Sequence, residues 1–265
     1  MDLVQIILLA LIQGFTEFLP VSSSAHLILL PRLVGWSDQG LAFDVAVHVG
    51  TLGAVVLYFR RELIPMGRDW FACFVTRKPT RDAKLAWAII LGTIPAGLAG
   101  IFLNDQIELH LRSPLVIATA TIVFGIVLWL ADRQHARDRS EYDLTFIDII
   151  IIGLAQALAL IPGTSRSGIT ITAALFLGLD RQSAARYSFL LSIPIIAAAG
   201  LLQTSKLIQQ PTEVNWGAML LAVMIAGGSA YLIIHYFLKM IARLSMLPFV
   251  LYRLLLGTFL FILFI

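Results

Sequence analysis

Two short polar stretches carry most of the side chains in this sequence that could do chemistry. Residues 20–26 read Pro-Val-Ser-Ser-Ser-Ala-His, and residues 162–168 read Pro-Gly-Thr-Ser-Arg-Ser-Gly. Both interrupt sequence that is otherwise strongly apolar. A bilayer offers no water to the backbone groups that a helix break exposes, so such a break is tolerated only where it is buried in protein or lines a cavity. Matching breaks in the two halves of a membrane chain therefore indicate a binding or active site.

The first break combines a carboxylate with hydroxyl groups and an imidazole. Gln13 and Glu17 precede it, four residues apart and so on one helical face. The groups that follow are Ser22, Ser23, Ser24 and His26. An ionised glutamate inside a membrane is costly, which makes Glu17 a functional candidate. Ser23 or His26 could attack phosphorus, whereas for Ser22 and Ser24 a helix-capping role is an equal alternative.

The second break combines an arginine with hydroxyl groups. Gln156 precedes it, and its polar side chains are Thr164, Ser165, Arg166, Ser167 and Thr170. An arginine with neighbouring hydroxyls, at a helix start that follows a glycine, forms a cradle for an oxyanion such as phosphate. Arg166 could hold the charge that develops during phosphoryl transfer. It could also form a structural ion pair with Glu17, a role that is compatible with catalysis.

Composition places the chain among polytopic membrane proteins. Hydrophobic residues make up 59% of it and charged residues 13%, and the mean hydropathy is +0.89. Apolar runs of spanning length recur from end to end, so no sizeable soluble domain is expected. The net charge of +3 does not indicate nucleic-acid binding, because the basic residues cluster in the loops between apolar runs. A single cysteine, Cys73, excludes an internal disulfide and a Cys-rich metal site.

The distribution of Lys and Arg predicts the topology. Of 19 such residues, fourteen fall in segments assignable to one side of the membrane and three to the other. The larger set comprises Arg60, Arg61, Arg68, Arg77, Lys78, Arg81, Lys84, Arg133, Arg137, Arg139, Arg181, Arg186, Lys239 and Arg243, and the smaller set Arg32, Arg112 and Lys206. The positive-inside rule places the larger set in the cytoplasm. The six spans lie near residues 41–59, 85–103, 113–131, 184–203, 215–238 and 247–265.

Alternation of these spans requires two re-entrant hairpins. Residues 1–34 must begin and end outside, and residues 144–178 must begin and end inside, with the polar breaks at the two tips. The break sequences support this arrangement, because Pro20 aligns with Pro162 at an offset of 142. Each half is then one hairpin followed by three spans, in opposite orientations, and the tips meet near mid-membrane.

The predicted fold is therefore an all-α membrane protein with an inverted-topology repeat. It has six transmembrane helices plus two re-entrant helical hairpins, in a single integral membrane domain that covers residues 1–265. Repeat 1 covers about residues 1–131, and repeat 2 about residues 144–265. The apolar start of the chain lacks a basic leader and a small-residue cleavage site, so we interpret it as part of the fold.

At both breaks the sequence resembles one known family, the undecaprenyl-diphosphate phosphatases of the bacitracin-resistance type. Residues 13–26, with Gln13, Glu17, the serine run and His26, resemble the family's first signature, a Glu/Gln-x-x-x-Glu element followed by a Ser-rich turn and His. Residues 162–170 are similar to its second signature, Pro-Gly-x-Ser-Arg-Ser-x-x-Thr. The resemblance spans the chain and includes residues 187–194 and 247–253. Gln13 stands where many members carry Glu, which weakens a two-carboxylate metal site.

The resemblance implies hydrolysis of undecaprenyl diphosphate to undecaprenyl phosphate and inorganic phosphate. This reaction recycles the lipid carrier for peptidoglycan synthesis and confers bacitracin resistance. The implied location is the bacterial cytoplasmic (inner) membrane, as a multi-pass protein whose active site faces the periplasm or outer leaflet. The implied partners are the polyprenyl diphosphate lipid and the bilayer, with no nucleic acid. The oligomeric state stays open and includes a homodimer.

The resemblance also implies roles for the residues of the breaks. Glu17, with Gln13, would position water or a divalent cation, Mg²⁺ or Ca²⁺. Ser23 or His26 would be the nucleophile or the general acid/base. The residues that would hold the diphosphate are Arg166 with Ser165, Ser167 and Thr170, and the further substrate-binding candidates are Ser22, Ser24 and Thr164.

Five other polar residues receive structural interpretations or none. Asp44 and His48 share a helical face near the outer mouth, where a structural hydrogen bond is expected, although both could reach the headgroup. Tyr252 and Arg253 are interpreted as interfacial anchors. Arg186 replaces an acidic residue common in the family and is assigned no role.

The rival function is transport. Inverted repeats with paired broken helices also build secondary transporters, and anions bind at such half-helix ends. An anion or lipid-carrier transporter, or flippase, could use the same site. The Ser, His, Glu and Arg constellation favours the enzyme, because a transporter must bind phosphate but has no need to attack it.

Overall fold

The computed structural model describes residues 1–111, 113–134, 138–209 and 215–265, which form eleven α-helices and one 3₁₀ turn. The helices are α1 (Leu3–Thr16), α2 (Ser23–Val34), α3 (Leu41–Tyr58), α4 (Arg60–Thr76), α5 (Arg81–His110), α6 (Pro114–Asp132), α7 (Phe146–Ala157), α8 (Arg166–Phe176), α9 (Arg181–Ile208), α10 (Trp216–Ile241) and α11 (Leu247–Phe264). The 3₁₀ turn, Leu158–Leu160, follows α7. Arg112 and Arg137, which enter the charge count, lie outside the described residues.

Six of the helices are long and apolar enough to cross a membrane. They are α3, α5, α6, α9, α10 and α11, and in α5 the apolar part is Arg81–Leu103. Their bounds agree with the six predicted spans to within a few residues. The prediction of an all-α membrane protein with six spanning helices is confirmed.

Four further apolar helices are too short to cross a bilayer. α1, α2, α7 and α8 have 14, 12, 12 and 11 residues, whereas the hydrocarbon core requires about 20. They form two pairs, each joined by one of the polar breaks. Arg139 ties the two ends of the second pair together, because its guanidinium donates to Asp148 in the first turn of α7 and to the carbonyl of Leu177 just after α8. This geometry is compatible with the predicted re-entrant hairpins.

The two short pairs follow one local plan at an offset of 143 residues. Equivalent positions share the same conformation or residue type. They are the capping-box residues Asp2 and Thr145, the glutamines Gln13 and Gln156, the helix-starting serines Ser22 and Ser165, and the positive-φ glycines Gly35 and Gly178. The sequence alignment of Pro20 with Pro162, at an offset of 142, therefore differs by one residue from the structural equivalence. The shared plan is compatible with an internal repeat.

Helix packing repeats in the same way. α1 packs on α10 as α7 packs on α5, and α3 packs on α10 as α9 packs on α5. Two further large contacts join equivalent helices to each other, α3 to α9 and α6 to α11. Two repeats related by an approximate two-fold axis would produce this pattern, so the packing is compatible with the predicted inverted repeat.

Residues 60–76 form a helix in a segment that the sequence analysis treated as a loop. α4 is amphipathic, and large apolar side chains such as Phe71 are exposed on it. Arg186 of α9 donates to Glu62 of α4 and to Glu141, each at 2.7 Å. Arg186, to which the sequence analysis assigned no role, therefore links α9, α4 and the segment before α7. These contacts lie on the face predicted to be cytoplasmic.

The contact between α3 and α10 depends on glycine. A Cβ atom at Gly50 would lie only 2.4 Å from the carbonyl oxygen of Val223 and 3.0 Å from the backbone nitrogen of Gly227. A Cβ atom at Gly53, on the same helix, would meet open space. The close approach of the two backbones thus requires a glycine at Gly50 but not at Gly53.

We expect Gly50→Ala to lower the melting temperature of the purified protein by several degrees. The added methyl group must push two backbones apart, and overpacking of this kind costs about 1–3 kcal/mol. The matched control Gly53→Ala should melt at or above the wild-type temperature, because alanine is the better helix former. Thermal unfolding in detergent measures both variants, and equal melting temperatures for the two would contradict the packing argument.

Candidate active site

In each polar break, the non-helical segment ends at a serine in the left-handed region of backbone conformation. Ser22 has a φ of 71° and Ser165 a φ of 72°. Such a conformation costs about 1–3 kcal/mol for a non-glycine residue and concentrates at functional sites. It turns the chain so that α2 begins at Ser23 and α8 begins at Arg166. The strained turns thus place these two side chains at the first positions of two helices, with the partly positive helix N-termini behind them.

The carboxylate of Glu17 joins the two breaks. Its Oε1 accepts a hydrogen bond from Nη2 of Arg166 at 3.0 Å. Its Oε2 accepts from Oγ of Ser23 at 2.7 Å and from Nε2 of Gln13 at 3.1 Å. The side chains of Glu17 and Arg166 are only 8% and 14% exposed. Four of the residues predicted from the sequence therefore converge on one buried ion pair, and removal of either charge would leave the other unpaired.

Hydroxyl groups of the second break hold Arg166 and the two breaks in place. Ser167 donates to the carbonyl of Leu19 at 2.8 Å and so links the second break to the first. Thr170 donates to the carbonyl of Arg166 at 2.8 Å and shares a 2.7 Å hydrogen bond with the hydroxyl of Ser188. The guanidinium of Arg166 donates to the Ser188 carbonyl as well, at 3.1 Å. These contacts make Ser167 and Thr170 supports of the site.

Arg253 is a part of the site region that the sequence analysis missed. It is fully buried, and its guanidinium donates to five backbone carbonyls. These belong to Pro20 (3.2 Å) in the first break, Gly163 (2.9 Å) and Thr164 (2.9 Å) in the second, and Ala120 (3.4 Å) and Thr121 (3.0 Å) in α6. The expectation of an interfacial anchor is wrong for Arg253. An arginine near the start of an apolar helix looks the same in sequence whether it faces the membrane surface or the protein interior.

A cavity of about 370 Å³ opens beside the ion pair. Its polar lining residues are Glu17, Ser22, Ser23, Ser24, His48, Gln156, Ser165, Arg166 and Gln203. The predicted residues Gln13, Thr164, Ser167 and Thr170 are buried outside this lining. The cavity therefore presents a carboxylate, a guanidinium and several hydroxyl groups to a ligand.

His26 is held away from the cavity lining. Its Nδ1 lies 2.7 Å from the carbonyl oxygen of Ser22, and its Nε2 lies 2.6 Å from the hydroxyl of Tyr252. A carbonyl can only accept, so Nδ1 carries the proton and Nε2 of the neutral ring accepts from the tyrosine. The ring of Tyr252 also stacks on the imidazole. His26 thus contacts the serine turn outside the cavity lining, whereas His48 lines the cavity.

Glu17 and Gln13 are the residues near the ion pair whose oxygen atoms could serve as ligands for a divalent cation. Within the described residues, no group of three or more His, Cys, Asp or Glu side chains is placed to hold a metal ion. Oε1 of Gln13 is buried and has no hydrogen-bond partner in the described part of the chain. Together with Glu17 it offers two oxygen ligands. Mg²⁺ is commonly held in this way, by one or two protein oxygens plus water and substrate phosphate.

Comparison with known proteins identifies the family. The family model of bacitracin resistance protein BacA matches residues 6–259. This chain belongs to the BacA family. The match confirms the resemblance seen in the two break motifs, and it covers five of the spanning helices and most of α11.

Several relatives align with the chain from end to end. Undecaprenyl-diphosphatase 2 of Stutzerimonas stutzeri (strain A1501) is 61% identical, over 100% of this chain and 99% of its own length. Undecaprenyl-diphosphatase of Thioalkalivibrio sulfidiphilus (strain HL-EbGR7) is also 61% identical, and that of Nitrosococcus oceani is 57% identical. Both of these alignments cover 100% of each chain.

We expect Arg253→Lys to destabilise both breaks. A lysine has three donors in place of the guanidinium's five, so at least two buried carbonyls lose their partner, at about 1–3 kcal/mol each. The melting temperature should fall by several degrees, and amide hydrogen exchange should rise at residues 17–22 and 158–165. Arg243→Lys is the matched control, because Arg243 is exposed at the end of α10. Wild-type exchange at both breaks in Arg253→Lys would show that the guanidinium does not hold them.

Proposed function

We propose that this chain hydrolyses undecaprenyl diphosphate to undecaprenyl phosphate and inorganic phosphate. The observation that carries the proposal is the single carboxylate, Glu17, that holds the hydroxyl of Ser23 and the guanidinium of Arg166 beside one cavity. Membership of the BacA family and full-length relatives named undecaprenyl-diphosphatase support the same reaction. The product is the form of the lipid carrier that peptidoglycan synthesis reuses, so the activity confers bacitracin resistance.

Arg166 binds the diphosphate in this mechanism. A guanidinium has five N–H donors, and the contacts with Glu17 and Ser188 use two of them. The others can reach phosphate oxygens and stabilise the charge that develops during transfer. The N-termini of α2 and α8 add backbone N–H groups and the favourable ends of two helix dipoles. Ser22, Ser24 and Ser165 line the same cavity and supply further hydroxyl donors.

Ser23 is the nucleophile, and Glu17 is its general base. As Oγ of Ser23 attacks the terminal phosphorus, its proton moves along the 2.7 Å hydrogen bond to Oε2 of Glu17. The bond between that phosphorus and the bridging oxygen breaks, and undecaprenyl phosphate leaves. Glu17 then releases this proton to water in the cavity. A water molecule attacks the phosphoryl group on Ser23 and gives a proton to the free carboxylate of Glu17, the bond between phosphorus and Oγ breaks, and Oγ of Ser23 takes that proton back. The position of His26 behind the serine turn favours Ser23 over His26 as the attacking group.

A divalent cation, Mg²⁺ or Ca²⁺, is part of the proposal. Glu17 and the Oε1 atom of Gln13 would hold it together with oxygens of the diphosphate. When bound, it would neutralise the repulsion between the carboxylate and the substrate's negative charge. Arg166 already offsets part of that repulsion through its pairing with Glu17.

The substrate's polyprenyl tail stays in lipid. Each CH₂ group left in hydrocarbon avoids a cost of about 0.8 kcal/mol. The cavity of about 370 Å³ needs only to hold the headgroup, and the polar side chains in its lining suit that role. Selectivity for tail length should accordingly be modest.

The enzymatic proposal predicts release of inorganic phosphate from undecaprenyl or farnesyl diphosphate by the purified protein in detergent. Arg166→Ala should lower kcat at least 100-fold, because it removes the group that stabilises the transferring phosphoryl. Ser23→Ala should lower kcat by a similar factor, and the exposed control Arg243→Ala should leave it unchanged. No release by the wild type, or undiminished release by Arg166→Ala, would overturn the proposal. Full activity of Ser23→Ala would overturn the assignment of the nucleophile alone.

The proposed location is the bacterial cytoplasmic (inner) membrane, with the cavity accessible from the periplasm or outer leaflet. Both termini then lie outside the cytoplasm, because the two hairpins do not cross. Alkaline phosphatase fused after Ile265 should be active, whereas a fusion after Arg243, on the predicted cytoplasmic side, should be inactive. The reverse pattern in intact cells would overturn the topology and leave the chemistry of the site untouched.

A further inference from the structure

One face of helix α4 points away from the protein and combines basic with large apolar side chains. Arg61, Ile64, Arg68, Phe71 and Val75 recur at intervals of three and four residues, so they form one stripe along the helix. All five are exposed, and the exposed fraction reaches 71% for Ile64 and 86% for Val75. We call these five residues the α4 stripe.

The opposite face of α4 packs on the protein and so fixes which side chains point outward. Met66 is buried, and Leu63 packs against the main hydrophobic core. The indole ring of Trp70 lies 5.5 Å from that of Trp87, which is in the second turn of α5. These contacts set the rotation of α4 about its axis. The α4 stripe therefore faces the surroundings of the helix bundle.

The position of α4 in the chain places it near one surface of the membrane. It follows α3 after a single residue, Phe59, and precedes α5, which begins at Arg81. The end of α3 and the start of α5 lie on the side that the positive-inside rule assigns to the cytoplasm. Because α4 connects these two ends, it lies at the cytoplasmic end of the spanning helices.

The surface around the α4 stripe is positively charged. Residues 60–78 contain five basic and two acidic residues. Both carboxylates are already engaged, since Glu62 accepts a hydrogen bond from an arginine of α9, and Asp69 accepts from Thr80 at 2.8 Å and from Arg68 at 3.1 Å. The side chain of Arg68 nevertheless stays 78% exposed. The basic residues are Arg60, Arg61, Arg68, Arg77 and Lys78.

Three kinds of surroundings do not suit the α4 stripe. Water would contact a continuous row of large apolar side chains, a feature that marks an interaction surface. Hydrocarbon would surround two arginines with no acceptor for their N–H groups. A second copy of the chain, docked through the same stripe, would bring like charges together. The boundary between acyl chains and anionic headgroups suits both kinds of side chain, because apolar groups insert below the phosphates and guanidinium groups reach them.

We propose that the α4 stripe is a docking surface for anionic phospholipids of the cytoplasmic leaflet. Ile64, Phe71 and Val75 insert among the first carbons of the acyl chains, and Arg61 and Arg68 pair with the phosphates. The negative surface potential of that leaflet attracts basic groups beside the membrane. The five residues lie outside the described lining of the cavity beside the ion pair, so the inference does not depend on the reaction.

The test measures which lipid surrounds α4 in vesicles of phosphatidylcholine and phosphatidylglycerol in equal parts. Val75→Cys in a Cys73→Ser background takes a bimane fluorophore, because Cys73 is the single cysteine of the chain. One lipid at a time is brominated in its acyl chains and quenches the fluorophore on contact. Quenching by phosphatidylglycerol should exceed that by phosphatidylcholine by about twofold, and added salt should reduce the difference, because the attraction is electrostatic.

Variants without charge separate electrostatic attraction from contact with lipid. Arg61→Gln/Arg68→Gln, made in the labelled protein, should lose the preference for phosphatidylglycerol and still be quenched by both lipids. The matched control Arg32→Gln/Lys206→Gln removes two exposed basic residues from the predicted outer side and should keep the full preference. A label at Leu255→Cys, exposed in the middle of α11, reports lipid contact in hydrocarbon and should be quenched equally by both lipids.

Three results would overturn the inference. Equal quenching by the two lipids at Val75→Cys would show that α4 meets the bilayer without selecting anionic headgroups. Quenching by aqueous iodide and by neither lipid would place the stripe in water. Quenching by none of the three would place the stripe against another protein molecule. None of these measurements uses phosphate release, so failure of the proposed function would leave the test of the lipid surface intact.

Discussion

Two helix breaks expose backbone groups away from water, and the structure depends on the hydrogen-bond partners that these groups receive. Arg253 provides much of the solution, because one buried guanidinium caps five carbonyls from both breaks and from α6. A lone buried arginine would be prohibitively costly without such a dense set of acceptors. Ser167 adds a direct bond from the second break to the first. These contacts hold the breaks in place, and side chains from both breaks meet at the carboxylate of Glu17.

The same constraint explains why the chemistry sits at the breaks. A continuous helix uses all its backbone groups internally, whereas a helix that starts in mid-membrane presents free N–H groups and a positive dipole end. α2 and α8 both start directly after a break, with Ser23 and Arg166 as first residues. Positive-φ serines make these abrupt starts, and the strain they store is supported by the surrounding hydrogen bonds.

A nearly symmetric scaffold carries an asymmetric site. Ser23 and Arg166 occupy equivalent positions 143 residues apart, and both donate to the carboxylate of Glu17. The equivalent of Glu17 in the second break is Leu160, which lines the cavity as an apolar wall. The first break therefore contributes a carboxylate and a hydroxyl to the site, and the second contributes the guanidinium. The two helix starts have the same local conformation, and different residues at equivalent positions give them different side chains.

The sequence by itself determined the membrane class, the six spans and the position of both breaks, because hydropathy over 18 or more residues and proline-serine interruptions are local signals. It also placed Glu17 and Arg166 among the candidates. Only the tertiary structure decided that α4 is a helix, that Arg253 faces the interior, and which of the break residues line the cavity. Those properties depend on how each helix is rotated and what packs against it. Side-chain spacing along one chain does not contain that information, since it arises from contacts between residues more than a hundred positions apart.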